Sequence, residues 1–305
     1  MNRKNFLQLA SLSTTGLLFN GIANSIPPKA GGKAGYEVVV LATNWGFNGT
    51  IDKFCEAVKK EGYDGVELWW PMDKKGQDEM FSALQKHSLK LGVIFGGWQN
   101  DWKEHFDTFT TALSAAATNQ RNKPLYINCH SGKDYFNEEL NAPFIEFTTK
   151  LAKETSIPIL HETHRGRMMF AAHITKEYLK KYPDVRLTFD VSHWCNVHES
   201  LLDDQEEALT LAIERSEHIH ARVGHAEGPQ VNDPRAPEWK VAFEKHLSWW
   251  DRIAERKKNK GQRLTILTEF GPADYMPTLP YTKQAVADQW AINVHMMQLL
   301  RKRYK

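Results

Sequence analysis

Residues 186-RLTFDVSHW-194 read as a short apolar and β-branched strand that ends in Asp190 and is followed three residues later by His193. A carboxylate and an imidazole at a strand end can form a turn, a hydrogen-bonded pair or two ligands of one metal ion. Which interpretation holds depends on whether other strands of the chain end in the same way.

The run 185-VRLTFD-190 is one of eight strand-length runs, and several of them are continuously apolar, as expected of strands covered on both faces. The other seven are 37-EVVVLAT-43, 65-GVELWW-70, 89-LKLGVIFGG-97, 124-PLYINCH-130, 157-IPILHE-162, 217-EHIHARV-223 and 264-LTILTEF-270. Between these runs lie segments whose apolar residues recur at helical spacing, most clearly 50–63, 137–155, 199–215 and 282–301.

This alternation of strands and helices predicts a single (β/α)8 TIM barrel, of the α/β class, over residues 36–305. In the segment 50–63, Thr50 is a suitable helix N-cap and Gly62 is suitably placed near the end. A doubly wound sheet is the alternative, but 42-ATNWGFNGT-50 lacks the Gly-rich phosphate turn expected after its first strand.

The N-terminal segment differs from the rest of the chain. MNRKNFLQLASLSTTGLLFNGIANS begins with basic residues, continues with a mildly apolar centre and ends with small residues, which is the layout of a signal peptide. The sequence therefore predicts an export signal over 1–23, twin-arginine-like in its start, then a linker over 24–35 and a periplasmic location. A disordered or amphipathic tail is the alternative, and the apolar centre is too short and polar for a membrane span.

Composition excludes several classes of partner and of fold. The chain has 305 residues, is 41% apolar and 25% charged, and carries a formal charge of +2, so it has no electrostatic footprint for nucleic acid. The cysteines at 55, 129 and 195 are too few for a disulfide framework and are best interpreted as small core residues. A homo-oligomer is left open.

Four successive predicted strands end in Glu162, Asp190, His220 and Glu269. In a barrel, these strand ends meet at one rim, where the chemistry of such folds is found. Three carboxylates brought together without neutralisation repel strongly, and a divalent cation with oxygen and imidazole ligands resolves the repulsion. The pattern therefore indicates a metal site; the alternative for any one carboxylate is a helix cap or a solvated turn.

The motifs around these residues resemble a known family. The set 161-HETHRG-166, 190-DVSHW-194, 218-HIHARVG-224 and 268-TEFGP-272 is similar to the xylose isomerase-like TIM-barrel superfamily, the sugar phosphate isomerase/epimerase family. That superfamily includes ketohexose 3-epimerases, hydroxypyruvate isomerases, inosose dehydratases and AP endonucleases. The resemblance covers roughly residues 36–304.

Position by position, the resemblance implies that Glu162, Asp190, His220 and Glu269 bind one divalent metal ion. It also implies that Glu162 and Glu269 exchange the substrate proton and that His193 contacts the substrate. Mixed carboxylate and imidazole ligands favour Mn or Zn, with Mg and Co as the other candidates.

The ligand and the substrate contacts on strand seven are less sharply defined. His218 and His220 share a strand face, and His220 lies nearer the C-terminal end where the metal is expected. Arg222 continues that face and is predicted to hold a substrate oxygen. Relatives often carry an arginine further on, where this chain has Ala226, so Arg222, Arg165 or Arg235 would have to substitute.

Further substrate contacts are predicted at other strand ends and in the loops that follow them, where aromatic faces suit the apolar face of a sugar ring. These candidates are His130, His164, Arg165, Trp45 and Trp98. For each of them the alternative is a hydrogen-bonded loop residue or ordinary packing.

Together the residues predict proton abstraction next to a carbonyl, through an enediolate whose charge the metal holds. An exported enzyme would seldom meet sugar phosphates, so the expected reaction is isomerisation or epimerisation of an unphosphorylated sugar or keto-sugar. A lyase or dehydratase acting on a 3-keto-glycoside or inosose-like substrate shares the first step and is the main alternative. A non-catalytic exported sugar-binding barrel is another, and AP endonuclease-like hydrolysis is disfavoured by 95-FGG-97 and 233-DPR-235, which lack its histidines.

Overall fold

Eight parallel strands close into a barrel in chain order, β1 to β8, with β1 pairing with β8. The computed structural model describes residues 35–305, so the predicted signal segment and most of the linker lie outside the described residues. The strands are β1 Val38–Thr43, β2 Gly65–Trp69, β3 Lys90–Gly96, β4 Ile127–His130, β5 Ile159–Glu162, β6 Leu187–Phe189, β7 Ser216–His220 and β8 Leu264–Thr268. The predicted barrel is confirmed, and the closed sheet overturns the doubly wound alternative.

Helices follow the strands and pack around the barrel. They are α1 Ile51–Glu61, α2 Lys74–His87, α3 Trp102–Thr118, α4 Glu138–Thr155, α5 Ala172–Lys181, α6 Val191–Val197, α7 Glu206–Arg215, α8 Lys240–Lys260 and α9 Gln289–Tyr304, with a 3-10 turn at Pro237–Trp239. None of these described helices is long and apolar enough to cross a membrane.

The boundaries of α1 follow directly from its sequence. The Thr50 side chain accepts a hydrogen bond from Lys53 N at 3.3 Å, which satisfies one of the free N–H groups of the first turn. Gly62 ends the helix with φ of 88°, a left-handed conformation that costs glycine little. Both caps agree with the prediction.

Two predicted helices have different boundaries. The segment 199–215 contains helix only from Glu206, because Glu199 and Leu202 adopt positive φ, at 47° and 60°. The segment 282–301 becomes helical only at Gln289, where the Asp288 side chain accepts a hydrogen bond from Ala291 N at 3.0 Å.

The strands alternate between an outer and an inner face. Val38, Val40 and Ala42 belong to the large core beneath the helices, whereas Val39 and Leu41 belong to a second, smaller apolar cluster with Tyr126, Leu160 and Leu267. The three described cysteines are unpaired and buried, as predicted for core residues. The inner face is therefore apolar in part, and its remaining positions carry the polar side chains described below.

One irregularity interrupts the pairing of β6 with β7. Leu187 pairs with Ser216, but the next residue, Thr188, pairs with His218, so Glu217 is an extra residue on β7. Beyond it the register is regular, and His218 lies opposite Thr265 of β8. This bulge sets which β7 side chains share a face with Thr188.

Candidate active site

The C-terminal ends of β5 to β8 bring four ionisable side chains together. Glu162, Asp190, His220 and Glu269 each offer one ligand atom, and these atoms all lie within 4.8 Å of one another. All four residues are buried, with Glu269 the most exposed at 8%. The residues predicted as metal ligands are thus neighbours in the structure, and their role as ligands stays a prediction.

His220 is central to this group. Its Nδ1 lies 2.8 Å from Glu269 Oε2 and 3.7 Å from Glu162 Oε2. Neither Nδ1 nor Glu269 Oε2 has a hydrogen-bond partner of acceptable geometry within residues 35–305, although both atoms are buried. These two buried atoms face each other without a hydrogen bond, and two further carboxylates lie beside them. Such a set of nitrogen and oxygen ligand atoms suits a divalent ion.

The charge states of the group depend on its burial. Burial would raise the pKa of Glu162, but the His130 and His220 imidazoles hold it well below its usual range. Burial would lower the pKa of His220, but the carboxylates of Glu269, Glu162 and Glu67 hold it well above its usual range. Glu162 and His220 thus stabilise each other's charged forms.

Asp190 has a second structural role at the end of β6. Its side chain caps α6, accepting hydrogen bonds from Ser192 N at 3.1 Å and Ser192 Oγ at 2.5 Å. Its other oxygen pairs with the Arg222 guanidinium. Burial raises the pKa of Asp190 to about 7, Arg222 opposes that rise, and the charge of Glu269 adds to it. The helix cap and the ligand candidate, weighed as alternatives from the sequence, coincide in one residue.

Glu67 in β2 forms a layer beneath the ligand group, and sequence reasoning did not assign it a role. Its Oε1 lies 3.3 Å from His220 Nε2, and its Oε2 lies 3.5 Å from His218 Nε2 and accepts a hydrogen bond from Tyr126 OH at 2.8 Å. His218 also lies against Thr265, with 2.9 Å between Nδ1 and Oγ1. His218 therefore belongs to this lower layer, whereas His220 contacts both layers.

Strand β4 supports Glu162 from the side. Asn128 Nδ2 donates to Glu162 Oε2 at 2.6 Å, and His130 Nε2 lies 2.9 Å from the same oxygen. The neighbouring strand β3 leaves room for this, because a Cβ at Gly96 would lie 2.5 Å from the His130 Cβ. The role of Asn128 was missed, since a lone amide within a strand has no sequence signature.

The chain is similar to known proteins in structure. No protein-family model and no curated protein sequence matches the chain. Among solved structures, E. coli 3-keto-D-glucoside 4-epimerase YcjR matches with a TM-score of 0.59 at 16% identity, covering 87% of this chain and 100% of its own. The probable 3-DHS dehydratase AsbF of Bacillus anthracis matches with a TM-score of 0.55 at 13% identity, covering 87% and 99%. A D-tagatose 3-epimerase-like protein matches with a TM-score of 0.53 at 12% identity, covering 87% and 96%.

The chain has the same TIM-barrel fold as these proteins. The resemblance predicted from the strand-end motifs is confirmed at the level of the fold. At these identities the comparison shows the fold alone, and the activity is considered separately below.

Within this barrel, His193 and His164 lie together beside the ligand group. Their ring centroids are 3.8 Å apart, and His193 Nε2 lies 2.8 Å from Arg222 Nη2. Burial holds the pKa of His193 well below its usual range, with His164 and Arg222 adding to the effect. The buried Nδ1 of His193 has no hydrogen-bond partner in the described part of the chain, and its contact with a substrate stays a prediction.

The two predicted arginines flank a tyrosine that sequence reasoning missed. The Arg165 and Arg222 guanidinium carbons lie 5.1 and 4.8 Å from the ring centroid of Tyr275, in the loop after β8. Arg222 is 2% exposed and ion-paired, so its guanidinium belongs to the buried site. Arg235, by contrast, is exposed and pairs with Asp233 in its own loop.

The two predicted tryptophan contacts occupy different settings. Trp45 packs edge-on against Tyr275 at 4.8 Å and fills the space beside Gly271, where a Cβ would lie 2.4 Å from the indole. Trp98 is 64% exposed at the mouth of the barrel. Trp45 is thus a packed wall of the site, whereas Trp98 offers free aromatic surface.

Proposed function

We propose that the protein is a metal-dependent enzyme that removes a proton next to the carbonyl of an unphosphorylated sugar or keto-sugar. The single observation that carries this proposal is the convergence of Glu162, Asp190, His220 and Glu269 within 4.8 Å at the C-terminal rim. Two of these residues are glutamates on β5 and just beyond β8, which suits them to act from two sides of one substrate carbon.

The residues of the chain can hold an ion and move a proton. Glu162, Asp190, His220 and Glu269 would bind the metal, whose Lewis acidity polarises a carbonyl oxygen when it is bound. Glu162 is held ionised by His130 and His220, so it can accept the proton. Glu269 Oε2, which has no hydrogen-bond partner within residues 35–305, can exchange a proton as well.

The outcome depends on where the proton returns. Return to the opposite face of the same carbon gives an epimer, and return to the neighbouring carbon gives an isomer. Loss of a β-oxygen substituent instead gives a lyase or dehydratase, and this is the second candidate function. Structural neighbours of both types, a 3-keto-D-glucoside 4-epimerase and a probable 3-DHS dehydratase, support this range of outcomes.

Other functions are less well supported. The buried, closely spaced carboxylates have no use in a non-catalytic sugar-binding barrel, and they are costly to assemble. Phosphodiester hydrolysis of the AP endonuclease type would use histidines at positions where this chain has Gly96, Gly97 and Arg235. The predicted signal segment supports export to the periplasm and hence an unphosphorylated substrate.

Isotope exchange tests the proposal. Metal-loaded protein is incubated in D2O with free, phosphorylated and 3-keto sugars, and NMR follows deuterium at carbon and the identity of the product. Glu162→Gln and Glu269→Gln should each lower exchange by about 10²- to 10⁴-fold, the usual contribution of a general base. Glu255→Gln, on the exposed face of α8, is the matched control and should leave exchange unchanged.

The same experiment separates the candidates. An epimer or isomer in the product supports the first function, and loss of a substituent supports the lyase. Absence of exchange over the whole panel, with metal shown to be bound, would contradict the proposal.

A further inference from the structure

Two exposed tryptophans lie side by side at the barrel mouth. Trp69, the last residue of β2, is 41% exposed, and Trp98, just beyond β3, is 64% exposed. Their ring centroids are 5.9 Å apart and their planes are inclined by 34°. The pair thus presents a broad aromatic surface to solvent at the rim that carries the ionisable group.

We propose that Trp69 and Trp98 form a second sugar subsite, which binds the ring adjacent to the reacting ring. The preferred substrate is then a glycoside with two sugar rings, such as a disaccharide or its keto derivative, and not a free monosaccharide. This inference rests on the proposed function, because it takes the reacting ring to lie over Glu162 and Glu269.

The position of the pair carries the first step of the argument. The His130 ring lies edge-on to both tryptophans, with centroid distances of 5.7 Å to Trp69 and 6.4 Å to Trp98. The Nε2 of the same imidazole lies 2.9 Å from Glu162 Oε2. One imidazole therefore separates the aromatic surface from the proton-transferring carboxylate, so a ring on that surface would adjoin the reacting ring.

The two halves of the barrel mouth do not compete for the same space. The predicted ligands come from β5 to β8, whereas the tryptophans come from β2 and β3. His130 on β4 lies between them, and its buried Nδ1 has no hydrogen-bond partner in the described chain. A hydroxyl near the linkage between two sugar rings would satisfy that nitrogen.

The chemistry around Trp98 selects a sugar ring. The Arg167 guanidinium carbon lies 4.4 Å from the Trp98 ring centroid, and Arg167 Nη1 donates to Gly97 O at 2.7 Å, so the indole is fixed in place. Lys133, which is 8% exposed, lies with its Nζ 3.4 Å from the Trp98 carbonyl oxygen. Arg167 thus covers one face of the Trp98 indole and, with Lys133, places buried cationic groups next to it. This combination matches a pyranose, whose C–H face is apolar and whose edge carries hydroxyls.

Calorimetric titration tests the subsite without requiring turnover. The metal-loaded protein is titrated with cellobiose, maltose and trehalose, and with glucose and methyl β-D-glucoside as one-ring probes. We expect at least one disaccharide to bind about tenfold more tightly than the one-ring probes. Trp69→Ala and Trp98→Ala should each reduce that preference about three- to tenfold, as expected for the loss of one aromatic contact.

Two further variants make the result specific. Trp98→Phe keeps an aromatic face and should retain most of the preference, whereas Tyr281→Ala removes a fully exposed tyrosine of the loop after β8 and should leave it unchanged. Melting curves of all variants check that each is folded.

The inference is overturned if the wild-type protein binds one-ring and two-ring sugars equally, binds none of them, or keeps its preference in both alanine variants. Failure of the proposed function is recognised separately, because deuterium exchange would then be absent for every sugar while calorimetry still reports on the subsite.

Discussion

Glu67 shows how a residue outside the ligand group can govern it. Its carboxylate lies 3.3 Å from His220 Nε2, while His220 Nδ1 faces Glu162 and Glu269. A carboxylate that accepts the Nε2 hydrogen fixes the tautomer and leaves Nδ1 as the ligand atom. Glu67 is therefore a positioning residue for His220.

Glu67→Gln should weaken metal binding by about 10- to 100-fold, the usual effect of losing such an outer partner. Competition with a chelating dye measures the dissociation constant for Mn or Zn directly, without an assay of activity. Tyr126→Phe is the matched control, since it removes the 2.8 Å hydrogen bond to Glu67 but leaves the carboxylate beside His220. Equal affinity in wild type and Glu67→Gln would refute the positioning role.

The sequence predicts site residues at the ends of strands better than site residues within strands. Glu162, Asp190, His220 and Glu269 were predicted because each lies at or near the end of a predicted strand. Glu67 lies within β2, two residues before its end, and only the closed barrel brings it across to His220. Tyr275 lies in an irregular loop, whose path no periodicity defines.

Among the elements, α8 is attached to the loop after β7 through a buried histidine. Gly224 N donates to His246 Nε2 at 3.1 Å, and His246 Nδ1 lies 2.8 Å from Ala242 O. Nε2 can accept this hydrogen bond only when it carries no proton, so the native imidazole is neutral. Burial accordingly lowers the pKa of His246 to about 4, although the bond to Ala242 opposes the shift.

This contact predicts how stability depends on pH. Because the folded pKa lies below the ordinary value of 6.5, the unfolded chain binds the proton more readily. The stabilisation is fully present above pH of about 6.5 and is lost as pH falls towards about 4, at most roughly 3 kcal/mol. The free energy of unfolding, measured with urea, should therefore fall less steeply with decreasing pH in His246→Gln than in the wild-type protein over this pH range.

Exposed His173 provides the control for that experiment, since His173→Gln should keep the wild-type slope. A His246→Gln slope equal to that of wild type would show that other groups determine the acid sensitivity. The comparison concerns slopes, so it is valid whatever stability the variant has at neutral pH.

Element boundaries were predicted well where a cap is local and poorly where tertiary contacts decide. Thr50 and Gly62 bound α1 through hydrogen bonds and a conformation that their own residue types favour. By contrast, residues 199–205 have helical periodicity but are not helical. Glu199 and Leu202 adopt positive φ there, which their residue types do not favour.

At the scale of the whole molecule, the predicted metal site implies that the stability of the protein depends on a bound ion. Removing divalent ions with a chelator should lower the melting temperature, and adding Mn or Zn should restore it. An ion at 100 times its dissociation constant adds about 2.7 kcal/mol, which corresponds to a shift of about 4–5 °C for a chain of this size. Differential scanning calorimetry measures both changes.

Asp190→Asn is the control for the chelation experiment, because it removes one predicted ligand and should reduce the response to added metal. A melting temperature that is indifferent to chelator and metal in the wild-type protein would contradict the predicted metal site. The closed barrel itself should persist in either case, since its packing core lies between the strands and the helices.

The extra residue at Glu217 has a consequence for the whole barrel. Side chains of a strand alternate in two phases, and one inserted residue exchanges them. If the pairing continued from Ser216 without the bulge, Glu217 would lie opposite Thr188, Ile219 and Ala221 would point inward beside Asp190, and both histidines of β7 would point out towards the helices. The register of this one short strand thus determines whether the histidines or the aliphatic side chains of β7 point into the barrel.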